Sequence, residues 1–376
     1  MAEGAHSPPT LSPIVVTGGC GFIGSHIVEG LLQFEPGCQI HVIDVKTSRN
    51  RFAGVSYQTG DISLANDVDA VLAEAKPKTI FHVACPDSIV KQPAVFQRVN
   101  VDGARNLLKA CRRIGTVQAF INTCTSSVIH DNISDLFDAD ETLPVLQYPA
   151  QKRVYTLTKA EAEADILAAN RESGDASMLT VSIRPSSTFG ERDTVTMGKI
   201  VSNARAGKAR FQIGPGNNMY DFVYISNLVD AHILAAQALV LAYGHPPPAP
   251  EMRVDGETFH VTNEEPVNFW DFQRSIAASV GLPVKTEDIK VVPAWVAMAT
   301  AGINEWLYWV FTLGREQPSV TREAIHLTTI NRTMSNAKAR GVLHYIPKVS
   351  IDDGLAKAGK WFMEEAERAE DNKKAA

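Results

Sequence analysis

The stretch Ile14-Val15-Val16-Thr17-Gly18-Gly19-Cys20-Gly21-Phe22-Ile23-Gly24-Ser25-His26 decides the fold. A β-branched run stops at a glycine cluster. Ile27, Leu31 and Leu32 then recur at helical spacing, so the stretch reads as strand, tight turn and helix start. Glycines let the backbone turn sharply and approach a ligand closely, and the free N–H groups of a helix start carry partial positive charge. This is a place to hold a phosphate. Two registers fit, Gly19-x-Gly21-x-x-Gly24 and Gly18-x-x-Gly21-x-x-Gly24, so the surroundings must decide its use.

Working outward, Ile40-His41-Val42-Ile43-Asp44 is a second strand ending in an acid, twenty residues beyond Gly24. At that spacing a carboxylate accepts hydrogen bonds from the ribose hydroxyls of a dinucleotide and repels a 2′-phosphate, which favours NAD over NADP. Lys46, Arg49 and Arg51 lie close by, and a basic cluster there keeps NADP open. A short strand over 55–59 ends in Gly60-Asp61, followed by helical periodicity over 65–75, a buried strand over 79–84, helical periodicity over 95–115 and another strand over 119–123. Such alternation predicts an α/β fold, a Rossmann-like doubly wound parallel sheet with the cofactor across the carboxyl ends of its strands. His82 and Cys85 stand at one such end, and His82 reads as a packed residue. Asp61 reads either as an adenine contact or as a turn acid.

Tyr155 and Lys159 are the candidate catalytic pair. The following segment, 160–170, is rich in alanine and glutamate and helical, so residues four apart share a face. A phenol ionises near pH 10, and a neighbouring ammonium lowers that value and makes tyrosine a usable base for an alcohol. Thr123-Cys124-Thr125-Ser126-Ser127 follows a strand and supplies hydroxyls that can orient a substrate oxygen.

At 376 residues, the chain is long enough for one large domain or two that share a core. With 45% hydrophobic and 21% charged residues, wholesale disorder is excluded. A net charge of −6 without a long basic run argues against nucleic acid. The five cysteines form no CxxC pair and read as reduced thiols, with neither a disulfide frame nor a metal site expected. Residues 1–12 read as a flexible tail and not a signal peptide, so the catalytic part is expected to face the cytosol. Residues 13–190 are the expected NAD-binding domain. Residues 191–365 form mainly a substrate-binding lobe with strands returning to the sheet, and 366–376 a charged tail.

Several motifs carry a resemblance. Gly18-x-x-Gly21-x-x-Gly24, Asp44, Gly60-Asp61-Ile62, Asn100-Val101-x-Gly103, Tyr155-x-x-x-Lys159, Arg184-Pro185-x-x-x-Phe189-Gly190 and Asp221-Phe222-Val223-Tyr224-Ile225 resemble the extended short-chain dehydrogenase/reductase family over about residues 13–365. Arg210-Phe211-Gln212-Ile213-Gly214, Asp255-Gly256-Glu257-Thr258-Phe259, Val261-Thr262-Asn263 and Phe269-Trp270-Asp271-Phe272 are similar to its 3β-hydroxysteroid dehydrogenase branch, and there to fungal members that act on sterol 4α-carboxylates. The resemblance implies NAD-dependent oxidation of a 3β-hydroxyl with loss of CO2 in sterol C4 demethylation. A related steroid or terpenoid dehydrogenase, an NADP-linked carbonyl reductase, a sugar-nucleotide epimerase and a non-enzymatic NAD sensor are the alternatives.

The same resemblance makes Tyr155 the base, Lys159 its partner and a ribose ligand, and Thr125 the third catalytic hydroxyl. It implies cofactor contacts at Gly18, Gly21, Phe22, Ile23, Gly24, Asp44, Asp61, Ile62, Ala84, Asn100, Tyr155, Lys159 and Pro185. Relatives usually read Tyr-Thr-Ser-Ser where this chain has Asn122-Thr123-Cys124-Thr125, which leaves Thr125 and Ser126 both open as that hydroxyl. Ser186-Ser187-Thr188 replaces the usual smaller pair after Arg-Pro, so Ser126, Ser186, Ser187 and Thr188 are candidate substrate contacts. A sterol or terpenoid substrate, peripheral or monotopic attachment to the endoplasmic reticulum membrane, a homodimer and association with other C4-demethylation enzymes are the implied partners.

The least polar stretch is 291–313, where Trp295, Trp306, Tyr308 and Trp309 surround a single charge, Glu305. Its length permits a span. Thr300, Asn304, Tyr308 and Thr312 recur every four residues, however, which fits an amphipathic helix better. That helix either dips into one leaflet or packs over a greasy substrate entrance. Residues 244–250, with three consecutive prolines, read as a surface loop.

Overall fold

The computed structural model describes residues 9–87, 92–312, 318 and 320–375. Seven parallel strands form the central sheet in the order Thr258–Val261, Leu179–Pro185, Ala119–Thr123, Thr79–His82, Ile14–Thr17, Ile40–Asp44 and Ser56–Thr59. Period-two alternation sends Ile14, Val16, Phe81 and Ile121 into one apolar core and Val15, Ile80 and Phe120 into the other. Helices Phe22–Phe34 and Ile225–Ala242 cover the first face; Ala65–Ala75, Gly103–Ile114 and Val154–Ala168 cover the second. Both faces are dry, which is why the strands read as continuous apolar runs.

The expected alternation is present, with shifted boundaries. Helical periodicity over 95–115 resolves into Pro93–Phe96, a π-helical segment Gln97–Asp102 and helix Gly103–Ile114. The catalytic segment turns helical at Val154, earlier than the alanine-rich run suggests, so Tyr155 and Lys159 lie in one helix. Gln151 sets that start, because its buried side-chain oxygen accepts from the backbone N–H of Lys152 and Arg153 at 2.9 and 2.7 Å.

The second half returns to the large sheet through Thr258–Val261. A four-stranded sheet joins Val267–Asn268, Met219–Tyr220, Arg332–Met334 and Leu136–Ala139. The last of these comes from inside the segment expected to be purely cofactor-binding; it pairs with Arg332–Met334 because the 130s loop crosses to the other lobe. A boundary at residue 190 therefore does not separate two closed units.

The N-terminal tail also differs from expectation. Residues 1–8 lie outside the described residues, but Leu11 is buried, Thr10 and Leu11 bind Glu35, and Lys78 holds the Thr10 carbonyl at 2.6 Å. Residues 366–375 continue helix Ile351–Ala375. Among the described residues one helix, Ile225–Ala242, is long and apolar enough to cross a membrane, and it is a core helix with more than half of it buried. Helix Ala294–Thr312 does not meet that measure, and Leu313 lies outside the described residues.

One ion pair fastens the helix of the candidate pair, Val154–Ala168, to the sheet. Glu163 and Arg184 are both buried; Arg184 donates to the carboxylate through Nη2 at 2.6 Å and Nε at 3.0 Å, and the Ser182 hydroxyl donates to it at 2.7 Å. Removing one partner strands the other charge. Glu163→Ala is therefore expected to cost about 3–5 kcal/mol in denaturant unfolding, with Glu163→Gln intermediate.

Candidate active site

The glycine turn is built by contacts that exclude side chains. Gly18 has φ +70°, and a Cβ there would lie 2.7 Å from the Ala84 Cα; one on Gly24 would lie 2.2 Å from the Gly18 carbonyl oxygen. A Cβ on Gly19 would strike Val42 at 2.7 Å. Gly18 and Gly24 thus shape the turn, while Gly19 lets it pack on the second strand. Helix Phe22–Phe34 starts after Gly21 with no side-chain cap and no acid in its first turn. Its first N–H groups, including those of Phe22 and Ile23, are left for an anion, and a dinucleotide phosphate fits this cradle.

Asp44 lies at the end of the neighbouring strand, where Oδ2 accepts from Cys20 N and Oδ1 from Lys46 N, both at 3.0 Å. Each oxygen retains acceptor capacity for a ribose hydroxyl. Arg49 and Arg51 bear electrostatically on Cys20, although burial dominates and pushes that thiol up to about 11. The Arg51 guanidinium stacks 4.7 Å from the centre of the Tyr57 ring. Asp61 makes the turn contact, accepting from Ser63 N at 2.9 Å, and Ile62 packs into the core against Gly103. Asn100 donates to the Thr158 hydroxyl at 3.0 Å, leaving its own Oδ1 buried without a partner among the described residues.

Around the catalytic pair, Tyr155 sits edge-on to Phe96, with ring centroids 5.9 Å apart. Burial raises its pKa most, followed by Cys85 and Cys124; Arg153 and a hydrogen bond with Thr125 act the other way. Lys159 is buried and donates to the Thr123 carbonyl at 2.5 Å, and it is not among these leading influences. Desolvation sets the direction of the phenol's shift, and the expected ammonium-assisted depression is not among its leading causes. His82 is a packed residue: its Nδ1 lies 2.9 Å from the Thr17 hydroxyl, and burial, with Lys159, depresses its pKa to about 3.

The hydroxyl cluster divides by direction. Thr123 lies 2.8 Å from His232, which burial holds neutral with a pKa near 4, and Cys124 faces the core. Thr125 is the hydroxyl that bears on Tyr155, acting to lower the phenol's pKa, and its Oγ1 lies 3.2 Å from the Ser127 Oγ. Ser126, the other candidate, turns instead toward Arg332, whose Nη2 lies 3.4 Å from its Oγ and 2.8 Å from that of Ser127. Beyond Pro185, Ser186 is buried with an unpartnered Oγ, while Ser187 and Thr188 begin a strand paired with Phe222–Tyr224. Ser127 entered the sequence reading only as the end of the hydroxyl run, and Arg332 escaped it. Arg332 lies about two hundred residues from Ser126 and Ser127, and no local spacing connects them.

The helix Ala294–Thr312 is turned outward. Its polar side meets helix Arg322–Leu327, where Glu305 pairs with Arg322 at 2.7 Å. Trp306, Trp309 and Phe311 are exposed by 62%, 64% and 81%.

This Rossmann-like architecture is similar to that of UDP-glucose 4-epimerase from Thermotoga maritima, with TM-score 0.69, 21% identity, and coverage of 94% of this chain and 99% of that one. It is also similar to dTDP-glucose 4,6-dehydratase from Bacillus anthracis in complex with NAD, with TM-score 0.66, 19% identity, and coverage of 94% and 97%. The chain belongs to the 3-beta hydroxysteroid dehydrogenase/isomerase family, whose defining pattern matches residues 15–291. It is 32% identical over 362 residues to the decarboxylating sterol-4-alpha-carboxylate 3-dehydrogenase of Saccharomyces cerevisiae, covering 94% of this chain and 99% of that protein. Likeness to the Bos taurus enzyme of the same description is 32% over 355 residues, covering 94% and 93%.

Asp44 is the position expected to set cofactor choice. Asp44→Ser is expected to weaken NAD binding about tenfold to a hundredfold and to narrow the gap to NADP, both read by fluorescence titration.

Proposed function

We propose that the chain is an NAD-dependent 3β-hydroxysteroid dehydrogenase that oxidises the 3β-hydroxyl of a sterol 4α-carboxylate to a ketone with loss of CO2. The observation that carries this reading is the near full-length likeness to decarboxylating sterol-4-alpha-carboxylate 3-dehydrogenases. Gly18 to Gly24, Asp44, Ala84, Asn100 and Pro185 would hold NAD, with Asp61 and Ile62 toward the adenine end. When bound, NAD supplies the hydride acceptor.

Tyr155 then takes the C3 hydroxyl proton, and Thr125 holds the same oxygen in line. Lys159 sits four residues from the base, and turning its ammonium from the Thr123 carbonyl toward the ribose and phenol favours the phenolate. Oxidation at C3 makes the C4 carboxylate a β-keto acid. Its C–C bond breaks, the electron pair passes into the new carbonyl as an enolate, and C4 is protonated. The residues need supply no separate decarboxylation machinery.

The exposed apolar face of Ala294–Thr312 supports a second part of the proposal, peripheral or monotopic attachment to the endoplasmic reticulum membrane. A water-insoluble substrate suits that location. A homodimer and association with other C4-demethylation enzymes complete the proposal.

Purified protein given a 4α-carboxysterol and NAD should form NADH and CO2; turnover only of another 3-hydroxy terpenoid would move it to specialised metabolism. Tyr155→Phe should lower kcat at least about a thousandfold while leaving NAD affinity intact. Because burial raises the phenol, wild-type kcat/KM should climb with pH on the alkaline side as the base form fills. Replacing Trp306 and Trp309 together with Ala should cut phospholipid-vesicle cosedimentation by about tenfold without changing NAD binding.

A further inference from the structure

The ribbon that leads into helix Ala294–Thr312 carries charge of the opposite sign to the chain as a whole. It is built from two short parallel strands, Phe211–Ile213 and Lys290–Val292, in which Phe211 stands opposite Lys290 and Lys290 N donates to the Arg210 carbonyl at 2.8 Å. Residues 205–213 and 285–292 hold five cations, Arg205, Lys208, Arg210, Lys285 and Lys290, against two acids, Glu287 and Asp288, in a chain of net charge −6. Lys208, Arg210 and Lys290 are exposed. Among the described residues none of these three pairs with a carboxylate within 4.0 Å, whereas Arg274, against the same strand, pairs with Asp271, and Arg322 pairs with Glu305.

The cations stand beside apolar surface. Paired residues of neighbouring strands project to one face, so Phe211 and Lys290 are side by side, and Arg210 curls over the Phe211 ring with its guanidinium carbon 5.4 Å from the ring centre. Phe211 and Val291 are exposed. The Pro293 carbonyl then starts the helix by accepting from Val296 N at 3.0 Å, which puts the exposed Trp295 five residues from Lys290. A cation at the margin of an apolar face, with its stem along a ring, keeps its charge at headgroup level while its neighbours enter the acyl layer. An acidic protein would match the charge but not the aromatic helix continuous with it. A leaflet with anionic headgroups presents both layers in that order.

We infer that Lys208, Arg210 and Lys290 form a collar for anionic phospholipid headgroups, which selects the lipid surface that helix Ala294–Thr312 enters and the side on which the protein approaches it. The inference rests on the membrane attachment proposed above and goes beyond it, because burial of Trp306 and Trp309 is indifferent to headgroup charge. The rest of the chain is acidic, so an anionic surface repels it and attracts this ribbon, and the protein is turned ribbon-first before the helix inserts. Each Lys or Arg near an anionic leaflet is worth about fivefold in partitioning, so the three together are worth about a hundredfold.

The test is cosedimentation of the full chain with vesicles of phosphatidylcholine alone and with vesicles in which about one third of the lipid is phosphatidylserine. Wild type is expected to bind the anionic vesicles about thirtyfold to a hundredfold more tightly. Salt at about 1 M, where the Debye length is about 3 Å, should remove that preference and leave binding to phosphatidylcholine. These arms need no variant to fold. K208Q/R210Q/K290Q should lose the preference while its binding to phosphatidylcholine and to NAD stays near wild type. K76Q/K109Q/K360Q, which removes the same charge from exposed positions on other elements, should keep it. A preference that survives high salt, one that survives in the ribbon variant, or an equal loss in the control variant overturns the inference. Wild type that binds both kinds of vesicle alike overturns this inference alone. Wild type that binds neither overturns it together with the membrane attachment.

Discussion

The constraint on which the rest depends is the contact between Gly24 and the Gly18 carbonyl, where a side chain would stand 2.2 Å from the oxygen. Because nothing intervenes, the first helix begins directly on the end of the first strand. Its unsatisfied N–H groups then open at the carboxyl edge of the sheet. Asp44 reaches the same loop through Cys20 N, so the turn and the acid proposed to hold the ribose are fixed together. Gly18 abuts Ala84 at the end of the fourth strand, which ties the turn to the sheet beside His82 and Lys159. Filling any of these spaces would move the cradle away from the catalytic helix.

Three buried or half-buried cations near the site are partnered in different ways. Arg184 has a complete carboxylate partner in Glu163, and its work is structural. Lys159 is held by a carbonyl, and Arg332 by two hydroxyls. A cation partnered by neutral acceptors keeps most of its field available for a charge that arrives later. On the proposed chemistry the Tyr155 phenolate is the charge that arrives beside Lys159. Of these three cations only Arg184, beneath the helix that carries Tyr155, is neutralised by a carboxylate; Lys159 and Arg332 are left electrostatically open.

How much of this was legible depends on range. The strand, turn and helix around Gly18 to Gly24 are local, and a single window of residues carries them. Tyr155 and Lys159 are equally local, because one helical turn relates them. The Glu163 to Arg184 pair was half visible: Arg184 belongs to a recognisable motif, but its partner follows only from packing helix on strand. Arg332 and the crossing of Leu136–Ala139 into the smaller sheet are set by tertiary register, and no period or spacing in the chain encodes them. Desolvation of Tyr155 was illegible for the same reason, since burial by Phe96 and its neighbours is a property of the closed site.

Helix Ala294–Thr312 inverts the usual arrangement of an amphipathic helix. In a water-soluble domain the apolar side meets the core and the polar side meets solvent. Here Glu305 and Asn304 face the rest of the protein, through Arg322 and the Val320 carbonyl, while Trp295, Ile303, Trp306, Trp309 and Phe311 look outward. The four-residue recurrence of polar groups was readable in the sequence, but the direction in which the stripe points was not. An outward apolar face of this breadth is costly in water and calls for an apolar surface to cover it. Its aromatic content suits the boundary between headgroups and acyl chains, where a ring can bury its body and keep a polar edge wet. On the proposed membrane attachment this is the face that would enter one leaflet, whereas a helix closing over the substrate entrance would turn it inward.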